Sequence, residues 1–220
     1  MADYELFIFD YNYSSWSMRA GVMMRATGLP FRETRLNLDD ETRARIGSVS
    51  PSKLLPLLAH GSLRIWDSLA IAEYLAEQCP ELPLWPRAAD ARAVARSASA
   101  EMHAGFSAMR NAMNMNIRAH YPGYPRTLEV DRNVRRIQEL WSELRARFGA
   151  GGDYLCGEFG LVDAMFAPVV MRFRTYDVKL TGACEAYARA LLGHPAVRGW
   201  LEEAERDTFH VAAYDYIVDA

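Results

Sequence analysis

Three serines crowd one turn. In the stretch NYSSWSMRAG, residues 12–21, the hydroxyls of Ser14, Ser15 and Ser17 come just after the apolar run Leu6, Phe7, Ile8, Phe9 and stand at the mouth of a helix. A serine oxygen accepts from the unpaired N–H groups of a helix's first turn, which makes Ser17 the plain N-cap of a helix running to Thr27. One cap uses one serine. Ser14 and Ser15 are left as hydroxyl donors at the positive end of a helix dipole, a cradle for an anion. Asp67–Ser68 is a second such place, with Ser68 read as the N-cap of another helix and its hydroxyl and N–H placed for an anion.

Other chemistries are argued against by residue type and spacing. Cys79, Cys156 and Cys184 are odd in number and lack CxxC spacing, so neither a disulfide framework nor a zinc site is indicated. The five histidines show no HExxH spacing, and no metal is implied. Against 28 Asp and Glu stand 25 Lys and Arg, with no basic block to follow a phosphate backbone, so nucleic acid is not an expected partner. The start MADYELF has no signal-like character, and no run of about 18 apolar residues occurs, so a cytoplasmic protein without a membrane partner is expected. Half of the 220 residues are hydrophobic, enough for a sizeable core.

The elements that must position these serines alternate in type over the first eighty residues. Leu6–Phe9 reads as a buried strand, and Ser17–Thr27 as a helix stopped by Gly28 and Pro30. Phe31–Leu38 alternates as a strand, a short polar helix covers Asp39–Ile46, Leu57–Ala59 and Leu63–Trp66 form a hairpin around His60 and Gly61, and a helix runs from Ser68 to about Gln78. The order is βαβαββα. Three prolines in PELPLWP, residues 80–86, mark a linker, set at 81–89 between a domain of residues 1–80 and a second of residues 90–220. The second domain reads as all helical. It holds a long methionine-rich helix from about Asp90 to Arg118, an amphipathic helix over Leu128–Phe148, a mostly apolar central helix over Leu161–Phe173, and two shorter helices beyond.

This order, with four motifs at fitting distances, resembles a cytosolic glutathione transferase. SPSKLLPLL (50–58) is similar to the segment in which that family opens its third strand with a cis-proline, and DSLAIAEYLAE (67–77) to its glutathione-binding strand-to-helix turn. YSSWSMRAG resembles the first turn of the serine-type classes, nearest to the zeta class, and EFGLVDAMFAP (158–168) the capping segment of the central helix. The resemblance implies an α+β two-domain fold, a thioredoxin-like N-terminal domain with an all-helical C-terminal domain, assembled as a homodimer. It also implies glutathione as co-substrate, no metal, and attack of the glutathione thiolate on a small electrophilic or apolar substrate.

Site roles follow from the same resemblance. Ser14 carries the hydroxyl that stabilises the thiolate, with Ser15 as helper. Leu55, ahead of a cis Pro56, pairs its backbone with the cysteinyl residue of glutathione, Lys53 meets the glycyl carboxylate, Ser68 takes the γ-glutamyl carboxylate and Asp67 the α-ammonium. Asp163 is structural, half of a capping box with Gly160 in the first position. The electrophile is expected between the serine turn and the methionine-rich helix, against Met109, Arg110 and Met113, with Arg174 and Tyr176 at the far end of the central helix. Zeta members have a cysteine where this chain has Trp16, so chemistry through an enzyme thiol is not expected. Two alternatives stay open. One is a zeta-like cis–trans isomerase of the maleylacetoacetate type, whose substrate arginine would fall on Thr175, beside Arg172 and Arg174. The other is a non-catalytic binding or stress-regulatory protein on the same fold.

Overall fold

Strand β1, Tyr4–Ile8, alternates side chains between core and partial cover and lies inside a four-stranded sheet of order β2-β1-β3-β4. The computed structural model describes residues 3–36 and 40–215, with the side chains of residues 40–44 outside that description. Parallel to β1 runs β2, Phe31–Arg35, and antiparallel to it β3, Leu57–His60, which pairs in turn with β4, Leu63–Ile65. A parallel neighbour needs a crossover. Helix α1, Ser15–Thr27, supplies it and stops where Gly28 takes φ +70°, a conformation that a β-carbon disfavours. Helix α2, Asp40–Val49, leads to β3, and α3, Ser68–Gln78, follows β4.

The expected βαβαββα order holds, with shifted ends. β1 starts earlier than the apolar run because Tyr4 and Glu5 pair with Phe31 and Arg32. β2 ends at Arg35, short of the expected Leu38, and positions 37–39 lie outside the described residues.

Six further α-helices follow among the described residues: α4, Ala89–Ala104; α5, Ser107–Ala112; α6, Leu128–Phe148; α7, Leu161–Thr175; α8, Gly182–Gly193; and α9, Pro195–Arg206. The single helix expected from Asp90 to Arg118 is thus corrected to two. Gly105 turns extended and Phe106 takes φ +57°, which breaks the helical path, and the chain from Met113 to Arg118 is not helical. Helix α6 has the expected bounds, its stripe of Val130, Val134, Ile137, Trp141 and Leu144 buried and its start capped by Thr127.

Helix α7 is central, with every residue but Arg174 buried. Asp163 accepts from the N–H groups of Gly160 at 2.9 Å and Leu155 at 3.1 Å, so its structural half of the capping box is present. Glycine stands at 160 for a steric reason: a β-carbon there would lie 2.8 Å from the carbonyl oxygen of Leu84, which also accepts from Leu161 N–H. Helix α1 joins the two halves, packing on α3, α7 and α9. At Gly21 a β-carbon would meet the Trp200 ring at 2.2 Å, and Trp200 Nε1 donates to the Tyr11 carbonyl at 2.9 Å. One continuous core results, from Leu6 and Leu58 of the sheet to Phe166 and Trp200.

Candidate active site

The serine turn is built around Ser14. Ser14 is the N-cap of α1, its Oγ accepting from Ser17 N–H at 3.3 Å and donating to Ser17 Oγ at 2.8 Å. This corrects the assignment of the cap to Ser17. Ser17 is fully buried within the first turn, where its Oγ accepts from Phe9 N–H at 3.0 Å and fastens α1 to the end of β1. Three serines within four positions all suit a cap, so residue type alone could not separate them. Ser15, the first helical residue, is buried and accepts from Arg172 Nη2 at 3.2 Å. Ahead of the turn, buried Asn12 donates to Asn116 Oδ1 at 2.8 Å and accepts from Arg118 N–H at 3.0 Å. The non-helical stretch after Met113 thereby holds the turn in place.

A second wall comes from the loops before β3 and α3. The Leu55–Pro56 bond is cis, Pro56 is buried, and Lys53 is exposed. Asp67, rather than the expected Ser68, caps α3: its Oδ1 accepts from Leu69 N–H at 3.0 Å. The other carboxylate oxygen meets His103 Nε2 of α4 at 3.1 Å. Burial lowers the His103 pKa, Asp67 opposes that shift, and Arg19 and Arg110 add to it. Ser68 is fully buried, and its hydroxyl finds no partner among the described residues. A buried polar atom left so costs about 1–3 kcal/mol. The position suits a ligand oxygen.

Between these walls stands a feature that sequence reasoning missed. The Trp16 ring carries the guanidinium of Arg19 at 4.4 Å and that of Arg110 at 5.7 Å, with the His103 ring edge-on at 5.0 Å. Arg172 donates from Nε to the Met113 carbonyl at 2.8 Å as well as to Ser15. Burial pushes Arg19 down to about 9, and repulsion from Arg172 and Arg110 adds to the shift. Arg172 is pushed down to about 10 by burial, with Arg110 contributing. The signal was present in the sequence: Arg172 is a cation in the otherwise apolar run from Ala164 to Phe173.

The expected electrophile residues scatter. Arg110 stands beside Trp16 and donates to the His103 carbonyl at 3.0 Å. Met109 and Met113, expected on a pocket wall, are fully buried in the core. Arg174 is exposed and borders a separate depression of about 440 Å³ with His120, Phe173 and Lys179. Tyr176 is buried, its ring packed with those of Tyr121 and Tyr124 at 5.6 and 5.2 Å. At the serine turn Trp16, Arg19, Arg110 and His103 pack on one another. Among the described residues no cluster of three metal-ligating side chains occurs, and no helix is long and apolar enough to cross a membrane.

Comparison with known proteins points to one family. The family model described as glutathione S-transferase, N-terminal domain, matches residues 13–78, and that described as glutathione S-transferase, C-terminal domain, matches residues 128–203. Together they span about two thirds of the chain. The chain is similar to a stringent starvation protein A homologue of Haemophilus ducreyi, at 23% identity over 88% of this chain and 83% of the relative. It is also similar to a probable maleylacetoacetate isomerase of Caenorhabditis elegans, at 27% identity over 76% and 77%. A crystal structure of a glutathione transferase homologue from Burkholderia with bound glutathione shares the fold, with a TM-score of 0.72 and 19% identity over 93% of this chain and 99% of that one.

Proposed function

The chain belongs to the glutathione S-transferase family, and from that premise we propose that it binds glutathione across the serine turn and the start of α3 and transfers its thiolate to a small electrophile. The observation that carries the reading is the buried, unpaired hydroxyl of Ser68 beside the exposed carboxylate of Asp67 at a helix start. That pair matches an amino acid head group. Ser68 and the α3 N-terminus take its carboxylate, and Asp67 its ammonium. Leu55 offers backbone to the cysteinyl unit as a short added strand, and Lys53 is free to meet the glycyl carboxylate.

A free thiol of this kind has a pKa of about 8.5, which leaves only a few per cent thiolate at neutral pH. Two groups favour the anion here: the Ser14 hydroxyl and the positive end of α1. In the free protein the Ser14 proton points at Ser17 Oγ. A rotation about its side-chain bond turns it to sulfur, and Ser17 keeps the N–H of Phe9 as partner. Ser15 stands as helper, because an oxygen that accepts from Arg172 still has its own proton to give.

The isomerase reading is weaker, for Thr175 stands where its arginine was expected, buried and donating to the Asn116 carbonyl at 2.8 Å, and only the neighbouring Arg172 could serve in its place. The non-catalytic reading would leave Ser68 unpaired without purpose. Calorimetric titration with glutathione, followed by a conjugation assay, separates the readings: binding with conjugation supports the transferase, binding without it leaves the isomerase, and absence of binding overturns both glutathione-dependent readings in favour of the non-catalytic protein. The proposed assembly is a cytoplasmic homodimer, supported by apolar Leu54, Leu63 and Trp66, which are 69%, 48% and 45% exposed on the first domain.

A further inference from the structure

Arg19, against Trp16, and Arg172, against Ser15, carry donors with no partner among the described residues. Arg19 is 1% exposed, and its Nε and Nη1 have no hydrogen-bond partner among the described residues; Arg172 is 5% exposed, and its Nη1 has none. Asp67 is near enough to act on Arg19, but its oxygens are engaged by His103 and by Leu69 N–H. Arg172 has no carboxylate in ion-pair contact among the described residues, and its other nitrogens hold Met113 and Ser15. Half-buried Arg110 adds a third charge of the same sign. Taking one unpaired guanidinium out of water costs several kcal/mol, and neighbours of like charge add to it. Such a cluster is stabilised when an anion completes it.

The geometry points to an oxyanion site formed by Arg19, Arg110 and Arg172, which binds a carboxylate carried by the second substrate, next to the glutathione sulfur. The inference rests on the glutathione reading of the serine turn. Arg172 reaches Ser15 with one nitrogen and leaves another free, so the anion and the sulfur sit on neighbouring sides of one guanidinium. The planar fork of arginine matches a carboxylate in shape. Trp16 holds two of the three guanidinium groups over one ring. The favoured substrate is therefore one that bears a carboxylate, rather than a neutral oil.

A matched pair of probes tests this: 4-chloro-3,5-dinitrobenzoate and its neutral methyl ester. In both, the thiolate attacks the ring carbon that bears chlorine, a C–S bond forms, the C–Cl bond breaks, and chloride leaves with the electron pair; the thiol proton goes to solvent. In the wild type, kcat/KM for the acid, with the value for each probe divided by its uncatalysed rate with glutathione, is expected to exceed that for the ester about tenfold or more. In Arg172→Gln and in Arg110→Gln the ratio is expected to fall to within about threefold of unity. A ratio is independent of the folded fraction, so a poorly folding variant still answers. A wild-type ratio near unity, or one unchanged in both variants, overturns the proposal. So does a variant that weakens glutathione binding and leaves the ratio alone, since the anion would then be a carboxylate of glutathione itself.

Titration with unreactive 3,5-dinitrobenzoate in the absence of glutathione separates this inference from the reading beneath it. Binding lost in Arg172→Gln, in a protein that does not bind glutathione, upholds the oxyanion site and overturns the transferase. Normal glutathione binding with no binding of the benzoate overturns the oxyanion site alone.

Discussion

Arg172, in the buried helix α7, donates to the hydroxyl of Ser15 in the first turn of α1 across 3.2 Å. This contact ties the serine turn to the second domain and leaves Ser14 and Ser15 in different states, the one with its proton on Ser17 and the other an acceptor from a cation. Ser14→Ala is expected to lower kcat/KM for a generic electrophile about tenfold, roughly 1.4 kcal/mol of transition-state stabilisation. Loss of the cap should lower stability by about 1 kcal/mol as well. Ser15→Ala should slow the reaction less. A spectroscopic titration of bound glutathione should give a thiol pKa near 6.5 in the wild type, since two units are about 2.7 kcal/mol, and a value nearer 8.5 in Ser14→Ala. The reverse ranking of the two variants would move the thiolate to Ser15.

Asp67 and Ser68 are separable because one is paired and the other is not. Asp67→Asn keeps a capping oxygen and removes the charge, so stability should change little while the Kd for glutathione rises about fivefold or more. Ser68→Ala removes a hydroxyl with no partner, so the folded protein should lose nothing on thermal denaturation and yet bind glutathione more weakly. A Ser68→Ala protein that melts early would show that the hydroxyl is satisfied internally.

Asp10 makes stability depend on pH. It is fully buried at the end of the β1 segment, facing Asp207 and Arg35. Burial raises its pKa and Asp207 adds to the rise, while Tyr13 N–H and Arg35 oppose it. Burial would raise Asp207 too, but Phe209 N–H, Arg35 and Asp10 hold it low. A proton on Asp10 supplies the donor that buried Asp207 Oδ2 otherwise lacks. The folded state keeps this proton above pH 4, where an unfolded aspartate has lost it, so stability from Asp10 falls as pH rises from about 4 through the folded value. Denaturant unfolding of the wild type and of Asp10→Asn between pH 4 and 7 should show a growing advantage for the variant. Parallel curves would refute the shared proton.

Gly21 tests the seam between the domains. Alanine there would press its β-carbon into the Trp200 ring, which cannot retreat without giving up the Tyr11 carbonyl. Gly21→Ala should lose about 1–3 kcal/mol in denaturant unfolding, against the gain in helix propensity expected at an open site. A stabilised variant would mean that Trp200 repacks freely.

The homodimer makes a separate claim on the exposed apolar residues. Light scattering at micromolar concentration should give about twice the chain mass of 24.9 kDa, and Leu63→Arg combined with Trp66→Arg should shift it towards the monomer. A monomeric wild type would remove the proposal.

The fold was legible in the sequence wherever periodicity or punctuation was strong. Helix α6 announced its bounds through its apolar stripe from Val130 to Leu144 and the glycines after Phe148. Less legible was the break at Gly105–Phe106, because alanine and methionine on both sides favour a helix and the turn depends on a single residue at positive φ. In the candidate site the cis bond at Pro56 stands where it was expected, yet the cap was misplaced twice, at Ser14/Ser17 and at Asp67/Ser68. Offsets of three residues and of one are decided there by where the backbone enters the helix, which side-chain type does not encode. Of the arginines, Arg110 was picked out and Arg172 was visible as a cation in an apolar run, but their meeting with Arg19 around the serine turn was not, because it follows from tertiary packing.

Helix α1 meets the sheet domain on one side and the helical domain on the other, and its partners are specific: Ser15 with Arg172, Gly21 with Trp200. The two halves of this chain are therefore not interchangeable parts. A chimaera that borrows its helical half from a relative would have to bring an arginine and a tryptophan to these same places, or leave a glycine facing a void and a serine without its cation. Recombination at the linker would sever pairs that function only together, so the two halves are expected to be inherited as a unit.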